Sequence, residues 1–546
     1  MRESTLPRPA APPAATTAPL AGVPLAVAGQ GPAVDLAVRQ LTHLGAQLTA
    51  YQQHGPALLR LGRGAEAVEC ELDWSGRVEL PLATEADVQA ACGIAAVHGR
   101  RHGAPRRLGI GCAGAAAGVL AVQGLLAARY AVLRGAAGPR RVRTSVAEAA
   151  LLVVGQYLAA ATADEEAEPL AAGAGAPPFT SADGVRFEIE ALEPGQWLAF
   201  WTALGVDRRV VGRGWPPFRL RFATGCCVLP AELEAATIDL TYRQLCSAAA
   251  AAEVSILPVR TSPSAQAGPA GLPWRISPLG RAGAPEPPAV PGGPPLAGLR
   301  VAEMTRRLQG PLAGHLLALL GAEVTRVEPL GGDPLRGVPP MAGAVSARFH
   351  ALNRGKRVLE ADPRSAEGRL AVRRLVAASG VFLHNLAPGK AEQFGLGAAE
   401  LLNLRPGLVH AWAGGWEDRG AGPRPVGTDY LVQARSGLAA LVTPPGQPVA
   451  PTLMTVTDIF GGLTAATGVL AALVARAAGG PGQRVESSLW TAAVTLLDTA
   501  LPPDTPPARF PARTPAEIAR DPRFAGALLR DGCVLPRSPW QFDPSA

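Results

Sequence analysis

Lysine is almost absent from this 546-residue chain, which has only Lys356 and Lys390 and carries nearly all of its positive charge on arginine. The formal net charge is +7, acidic residues are interspersed throughout, and no Lys/Arg-rich run is interleaved with aromatic residues. Proteins that bind nucleic acid usually show such a basic stretch. We therefore predict no nucleic-acid partner.

Cysteine is also scarce, with seven residues, an odd number, and no C-x-x-C motif. Neither a disulfide framework nor a zinc site is indicated, so we predict no metal and reduced thiols in a cytoplasmic protein. Nucleotide motifs are missing as well. No G-x-G-x-x-G follows the first strand, where Gly29-Gln30-Gly31 stops short, and there is no Walker A sequence. A nicotinamide (NAD) or ATP site is therefore disfavoured.

Long apolar runs are few, and neither end of the chain suggests a membrane. Residues 1–17 are rich in Pro and Ala and lack the charged-then-apolar order of a signal peptide, which predicts a disordered leader. Residues 110–128 have only Gln123 as a strongly polar member and are long enough to span a bilayer. The run is mostly Ala and Gly, however, so we interpret it as a buried core helix and predict no membrane.

The chain repeats itself in two unequal copies. The tetrapeptide Pro-Leu-Ala-Gly at 19–22 recurs at 295–298, and residues 88–93 recur, less closely, at 432–437. The changing offset indicates that each copy lacks a segment that the other keeps. Repeats of this kind are a fold-level signal. We predict a first copy over 18–262, including a smaller α/β domain at about 185–260, a Pro/Gly linker over 263–294, and a second copy over 295–546.

Alternating strands and helices characterise the second copy, which predicts a doubly wound parallel sheet. Ligands of such sheets lie beyond the carboxyl ends of the strands. The predicted strands are 299–304, 323–328, 356–361, 380–384 and 408–412, and the predicted helices are 314–320 and 366–378.

Asp458 is an isolated carboxylate just before a long apolar run rich in Ala and Gly, from 459 to 473. An Asp in this place commonly caps a helix N-terminus, and the helix dipole would keep it ionised and fixed in direction. A fixed, ionised Asp shielded from water is also a usable nucleophile toward an acyl carbon. The local sequence leaves both interpretations open.

Residues 429–434, 436–437, Asp458 and 468–473 together resemble, in order and spacing, the core of the family III CoA-transferases, the formyl-CoA and carnitine CoA-transferase group. The resemblance implies a Rossmann-like doubly wound sheet with a smaller α/β domain, here internally duplicated. It implies that Asp458 is the nucleophile, that acyl-CoA and a carboxylic acid are the substrates, and that no metal or redox cofactor takes part.

The same resemblance implies a coenzyme A site at the strand ends, formed by Asn385, Leu386, Ala361, Arg364 and Leu308. Asn385 matches a family Asn that holds CoA, although an Asn before Ala-Pro-Gly could simply form a turn. Leu386 stands where the family often has Phe or Tyr, and Leu308 where several relatives carry a polar residue near the acyl group. Ala361 and Arg364 match positions near the nucleotide, although Arg364 could equally be a solvated surface residue.

The first copy has no nucleophile at the matching place, because the residue 25 positions after Gln89 is Gly114, whereas the residue 25 positions after Gln433 is Asp458. Family members are interlocked homodimers, so the resemblance implies an intramolecular pseudo-dimer with one working site on the second copy. Association of two chains into a homodimer stays open.

Two alternatives remain. One is a catalytically inactive homologue that binds acyl-CoA or serves as a scaffold. The other is a racemase or dehydratase of the same fold. Racemases of this fold use a His where this chain has Thr428, and a two-base proton transfer needs both groups.

Overall fold

The structure, a computed structural model, describes residues 17–136, 140–163, 176–264, 273–281, 283, 286–417 and 424–543. The predicted leader lies outside the described residues except for Thr17, whose N–H donates a hydrogen bond to the carbonyl of Ile276 at 2.8 Å.

The first copy forms a mixed sheet with helices packed on one face. Its strands are β1 (Pro24–Ala28), β2 (Gln47–Gln52), β3 (Ala57–Leu61), β4 (Val68–Asp73) and β5 (Arg141–Ser145). Its helices are α1 (Pro32–His43), α2 (Glu85–Ala91), α3 (Ile94–Gly99), α4 (Cys112–Leu133), α5 (Val146–Val153) and α6 (Gly155–Ala160). The opposite face carries charged cross-strand pairs, with Glu69 3.5 Å from Arg60 and 3.2 Å from Arg141, and such pairs suit a solvated sheet surface.

The smaller domain follows as a three-stranded antiparallel sheet with four helices. Its elements are β6 (Phe179–Thr180), β7 (Arg186–Glu190), α7 (Pro194–Ala203), α8 (Arg208–Thr224), α9 (Ala231–Ile238), α10 (Tyr242–Ala251) and β8 (Ser255–Pro258). Its apolar core contains Trp197 and Trp201 and also takes in Tyr430 and Leu453 from the second copy. The smaller domain therefore packs against the second copy.

Strand β9 (Trp274–Leu279) precedes the second copy, whose strands are β10 (Arg300–Met304), β11 (Glu323–Glu328), β12 (Met341–Ala342), β13 (Val345–Ser346), β14 (Arg357–Glu360), β15 (Val381–His384), β16 (Val409–Gly414), β17 (Gly482–Ser488), β18 (Leu528–Asp531), β19 (Cys533–Pro536) and β20 (Gln541–Phe542). Its helices are α11 (Gln309–Leu319), α12 (Ala347–Asn353), α13 (Ala366–Ala377), α14 (Lys390–Gln393), α15 (Ala398–Leu402), α16 (Asp429–Ser436), α17 (Leu438–Val442), α18 (Val456–Ala477), α19 (Leu489–Leu497) and α20 (Pro515–Arg520).

The second sheet has the order β14-β11-β10-β15-β16-β17-β9, and all neighbours pair in parallel except β17 and β9. Its two faces pack into separate apolar clusters, one with α11 and α18 and the other with α13 and α15. The five predicted strands of the second copy are confirmed, as is the doubly wound parallel arrangement. The predicted helix over 314–320 begins earlier, at Gln309.

The two central helices, α4 and α18, are equivalent elements that pack against each other at the middle of the molecule. Each has 22 residues and is almost wholly buried. The amide of Gln123 in α4 donates a hydrogen bond at 3.0 Å to the hydroxyl of Thr467 in α18, and these residues lie 344 positions apart. That separation equals the offset of the later sequence repeats, so equivalent positions of the two copies meet at this contact.

The copies also exchange strands. β9 follows the first copy but joins the sheet of the second, whereas β20 ends the second copy but joins the sheet of the first, beside β5. Trp274 begins β9 and Trp540 precedes β20, and each is buried against a glycine of a central helix, Gly468 and Gly124 respectively. The prediction of a simple linker over 263–294 is wrong for Trp274–Leu279, because strand pairing outweighs the local Pro and Gly content.

Two helices, Cys112–Leu133 and Val456–Ala477, are long and apolar enough to cross a membrane by length and composition, but 83% and 94% of their apolar windows are buried inside the protein. Core helices of this kind pass the same test. All seven cysteines are free thiols, and a cytoplasmic location stays a prediction.

We expect Trp540→Ala to destabilise the protein by about 3–5 kcal/mol, because it empties a buried site and removes the indole N–H bond to the Leu120 carbonyl at 2.8 Å. Thermal unfolding followed by circular dichroism measures the change. Tyr51→Ala, at an aromatic side chain that is 41% exposed on edge strand β2, is the matched control and should alter stability by less than about 0.5 kcal/mol. Equal shifts for both variants would contradict the anchoring role of Trp540.

Candidate active site

A buried carboxylate organises the start of α18, and it belongs to Asp429 rather than to Asp458. One oxygen of Asp429 accepts hydrogen bonds from the N–H groups of Thr457 at 2.7 Å and Asp458 at 3.1 Å, and from the Thr457 hydroxyl. The amide of Gln433 donates to the other oxygen. Asp429 therefore satisfies the free N–H groups that a helix N-terminus exposes.

Asp458 lies in the first turn of α18 with a half-buried side chain. Among the described residues none donates a hydrogen bond to its carboxylate, so the expected capping role belongs to its neighbour. Burial first, and the Asp429 carboxylate second, hold the pKa of Asp458 well above its usual value, while Arg307 opposes the shift. The prediction that the helix dipole keeps Asp458 ionised is wrong, because Asp429 already occupies the helix N-terminus.

The first copy repeats this cap, but the residue equivalent to Asp458 is Gly114. Glu85 accepts hydrogen bonds from the N–H groups of Ala113 at 2.9 Å and Gly114 at 2.8 Å, and from the amide of Gln89 at 2.9 Å. A side-chain carbon added at Gly114 would meet only Glu85, at 3.3 Å. The cap is therefore present in both copies, whereas the third position of the central helix carries a carboxylate, Asp458, in the second copy and a glycine in the first.

The β10–α11 loop, residues 305–308, leads into the start of α11, which packs on α18 just after its first turn. Gln309, at the start of α11, packs so closely on Gly461 and Gly462 that a side-chain carbon there would lie 2.8 Å from its amide nitrogen or 2.7 Å from its carbonyl oxygen. Residues three and four apart share one face of a helix, so Asp458 faces the same loop. The two glycines allow the start of α11 to approach the face of α18 that carries Asp458.

Asn385 holds this loop in place. Its side-chain oxygen accepts from the N–H of Arg306 at 2.9 Å, and its amide donates to the carbonyl of Arg306 at 2.9 Å. The carbonyl of Leu386 accepts from the indole N–H of Trp412 at 3.0 Å. Both polar atoms of the Asn385 side chain thus form hydrogen bonds within the protein. These bonds join the end of β15 to the loop.

The other predicted coenzyme A residues also lie at the carboxyl edge of the second sheet, in different environments. Ala361 is 4% exposed and packs in the apolar cluster under that edge. Arg364 is exposed, and Leu308 is buried at the start of α11. The structure therefore brings Leu308 and Asn385 to the same loop and leaves Arg364 at the surface, while the methyl group of Ala361 faces the core.

An open cleft lies between the loop and the smaller domain. It is lined by residues from both copies: Gln156, Phe222, Ala223, Arg307, Leu308, Leu335, Val338, Ser346, Arg348, Phe349, Leu352 and Asn353. Phe222 and Ala223 come from α8, so the smaller domain of the first copy forms one wall of a cleft beside the loop of the second.

The matching face of the first copy is covered differently. Residues 499–510 run across it, where the N–H of Gly111 donates to the carbonyl of Thr499 at 2.7 Å and the N–H of Leu501 donates to the carbonyl of Gly109 at 2.9 Å. Arg509 pairs with Asp87 at 2.6 Å. A short segment thus covers the Gly114 side, whereas the smaller domain packs on the second copy at Tyr430 and Leu453.

Sequence reasoning missed Asp429 and Arg307. An acid followed four residues later by Gln occurs at Glu85–Gln89 and again at Asp429–Gln433, and this recurrence could have identified the cap. Arg307 gave no signal, because its left-handed backbone, φ +64°, is visible only in the structure. Within the described ranges no group of three or more His, Cys, Asp or Glu residues could hold a metal ion.

We expect Asp458→Asn to stabilise the protein at pH 8 and to have little effect near pH 4. A carboxyl whose pKa is raised by folding loses stability as the pH rises above its unfolded value of 3.8, because the ionised form is disfavoured in the folded state. Differential scanning fluorimetry across this range measures the effect, and Asp504→Asn, at an exposed Asp, is the control. A lower melting temperature for Asp458→Asn at pH 8 would contradict the electrostatic cost assigned to Asp458.

The family model described as CoA-transferase family III matches residues 75–270 and 296–524, which together make up more than half of the chain. The succinate–glutarate CoA-transferase of Agrobacterium fabrum is 38% identical over 205 residues, 36% of this chain and 51% of that protein. The succinyl-CoA–D-citramalate CoA-transferase of Chloroflexus aurantiacus is 35% identical over 211 residues, 38% of this chain and 52% of that protein.

A crystal structure of a CAIB/BAIF family protein from Brucella suis aligns with a TM-score of 0.36 and 35% identity, over 38% of this chain and 56% of that one. The chain spans about half the length of the curated relatives it matches. On the two matched regions of the family model, this chain belongs to CoA-transferase family III.

Proposed function

We propose that this protein moves CoA from an acyl-CoA thioester to a free carboxylic acid and that Asp458 is the nucleophile. The observation that carries the proposal is the division of roles between two neighbouring carboxylates. Asp429 accepts three hydrogen bonds from Thr457 and Asp458 at the start of α18 and a fourth from Gln433 of its own helix. None of the described residues donates a hydrogen bond to the carboxylate of Asp458, which lies on the helix face toward the β10–α11 loop. The relatives' names as CoA-transferases agree with this chemistry.

In the first half of the proposed reaction, an oxygen of Asp458 attacks the thioester carbonyl. The C–S bond breaks, which leaves a mixed anhydride on Asp458 and CoA as a thiolate. The thiolate then attacks the aspartyl carbonyl, releases the donor acid as a carboxylate and leaves CoA on Asp458 as a thioester. The acceptor carboxylate reverses both steps and restores Asp458. No electrons are exchanged with a cofactor, and the reaction as written uses no metal.

The electrostatics of the pair suit such a nucleophile. Burial raises the pKa of Asp429 too, but its hydrogen bonds oppose that shift, so Asp429 is the member that we expect to ionise first. Asp458 then ionises beside an existing negative charge in a partly dehydrated place. An anion that is poorly stabilised in this way is more reactive toward an acyl carbon, and Arg307 keeps the ionised form accessible.

We propose that the chain is a tandem duplication that works as an intramolecular pseudo-dimer with one site. The exchanged strands β9 and β20 interlock the copies. The smaller domain of the first copy packs on Tyr430 and Leu453 of the second, and the segment 499–510 covers the first copy beside Gly114. The first copy therefore keeps the smaller domain, the second copy keeps Asp458, and the one proposed site needs both.

Coenzyme A would bind along the carboxyl edge of the second sheet. Leu386 and Leu308 offer apolar surface there, and Arg364 is exposed at the same edge. Asn385 supports this site by holding the loop through Arg306. Ala361 would contribute through its backbone, because its side chain is packed in the core.

The racemase alternative lacks its second proton-transfer group. The residue at the position in question is Thr428, whose buried hydroxyl has no hydrogen-bond partner in the described parts of the chain. A hydroxyl does not titrate in the range that a two-base mechanism needs. The inactive-homologue alternative is separated from the main proposal by the next experiment.

We expect incubation with succinyl-CoA and hydroxylamine to leave a hydroxamate on Asp458, because hydroxylamine traps an activated aspartyl group. Tandem mass spectrometry of the peptide containing residue 458 reads the modification, and thiol release gives the rate. Asp458→Asn should abolish the label and lower turnover with glutarate at least about a thousandfold, while Asp504→Asn should match the wild type. Unlabelled protein, or activity retained in Asp458→Asn, would refute the proposal.

We expect Asp429→Asn to shift the acid limb of the kcat/KM profile to lower pH. The substitution removes the like charge that raises the pKa of Asp458, while the Asn oxygen can still accept from the helix N–H groups. Glu85→Gln is the matched control, since it makes the same change at the equivalent cap of the first copy and should leave the profile in place. An unshifted Asp429→Asn profile would contradict coupling between the two carboxylates.

A further inference from the structure

Arg307 is a cation without a partner at the mouth of the proposed active site. Among the described residues, nothing accepts a hydrogen bond from its guanidinium or forms an ion pair with it, although it is one of the residues that line the cleft. The other arginine of the cleft, Arg348, is committed: it donates to the carbonyls of Ala223 at 3.0 Å and Pro339 at 2.8 Å. Arg307 is therefore the arginine that is free to meet a ligand.

The backbone holds Arg307 in an unusual conformation. Its φ of +64° is left-handed, which costs a non-glycine residue free energy and needs support from its surroundings. The support comes from Asn385, whose two hydrogen bonds clasp the preceding residue, Arg306. A positive charge is thus fixed at a defined place instead of being carried on a relaxed loop.

The loop geometry places that charge on the side of α18 that carries Asp458. Gln309, two residues after Arg307, packs on Gly461 and Gly462, which share the helix face of Asp458. The Arg307 charge also favours the ionised form of Asp458, which agrees with this proximity. The cleft walls around it are mainly apolar, with Phe222, Leu308, Leu335 and Phe349 among them.

From these observations we infer that Arg307 binds the distal carboxylate of a dicarboxylic acyl group, which makes it a specificity-determining residue. Apolar walls suit the carbon chain of the acyl group, and the uncommitted guanidinium suits a terminal anion. The inference rests on the proposed function. It deepens that function by naming the substrate class as the CoA esters of short dicarboxylic acids.

Coenzyme A itself carries another anion, its phosphates, that an arginine could bind. The phosphates lie at the far end of the pantetheine arm from the thioester, whereas the distal carboxylate of a short diacid lies only a few carbon atoms from the reacting carbonyl. A cation next to Asp458 is therefore placed for the acyl group. The experiment distinguishes the two sources, because it changes the acyl end and keeps the CoA constant.

The test compares succinyl-CoA with butyryl-CoA, which differ only in a terminal carboxylate or methyl group. Thiol release in the presence of hydroxylamine reports attack by Asp458 without an acceptor acid, and Asp458→Asn supplies the background rate. The variant is Arg307→Asn, because Asn tolerates left-handed backbone and carries no charge. Arg307→Lys restores the charge, and Arg306→Asn removes a neighbouring positive charge from the same loop.

We expect Arg307→Asn to lower the second-order rate constant of thiol release about ten- to a hundredfold more for succinyl-CoA than for butyryl-CoA, as loss of a charge-assisted hydrogen bond does. Both thioesters share the smaller effect of Arg307 on the ionisation of Asp458. Arg307→Lys should recover much of the loss, and Arg306→Asn should keep the wild-type ratio. An equal loss for both thioesters would overturn the inference, because it would assign the cation to CoA or to the ionisation of Asp458, and no loss for either would also overturn it. Thiol release from neither thioester by the wild type would refute the proposed function as well.

Discussion

The carboxylate cap at the start of each central helix is the interaction on which the rest of the molecule depends. A helix N-terminus buried in a protein leaves N–H groups that must find acceptors. Asp429 satisfies those of α18, and Glu85 satisfies those of α4. Because the acceptor comes from a separate helix, the helix itself is free to carry any residue at the third position. The second copy has Asp458 there, and the first has Gly114.

Because the cap comes from another helix, the two halves can differ at the third position of the central helix and still keep the cap. The first copy keeps its cap, its central helix and the smaller domain, but its sheet is mixed, and one face of that sheet carries charged pairs where the second copy carries α13 and α15. The second copy keeps the full parallel sheet and has only residues 499–510 where the smaller domain would lie. Neither half would enclose a site alone, because the cleft wall at Phe222 and the loop at Leu308 come from different copies.

Much of this could be predicted from the sequence, because periodicity and repeats report on local structure and duplication. The strands of the second copy, the buried helix α4 and the absence of a carboxylate at Gly114 all follow from patterns within short windows. Strand β9 could not be predicted, since its Pro- and Gly-rich surroundings predict a linker and its pairing partner, β17, lies some 200 residues later. The ionisation of Asp458 was predicted with the wrong sign, because the sequence does not show that Asp429 already fills the helix N-terminus.

Strained backbone conformations occur on both sides of Asp458. Three non-glycine residues in the described parts of the chain have left-handed backbones, and two of them, Thr455 and Arg307, flank Asp458 from different elements. Each such residue costs about 1–3 kcal/mol and persists only where its surroundings determine it. Here the hydrogen bonds of Asp429 fix the turn after Thr455. The two hydrogen bonds between Asn385 and Arg306 fix the loop before Arg307. Hydrogen bonds are thus concentrated around a carboxylate that takes no part in them, which is the arrangement expected when a group is kept available for a ligand rather than for the fold.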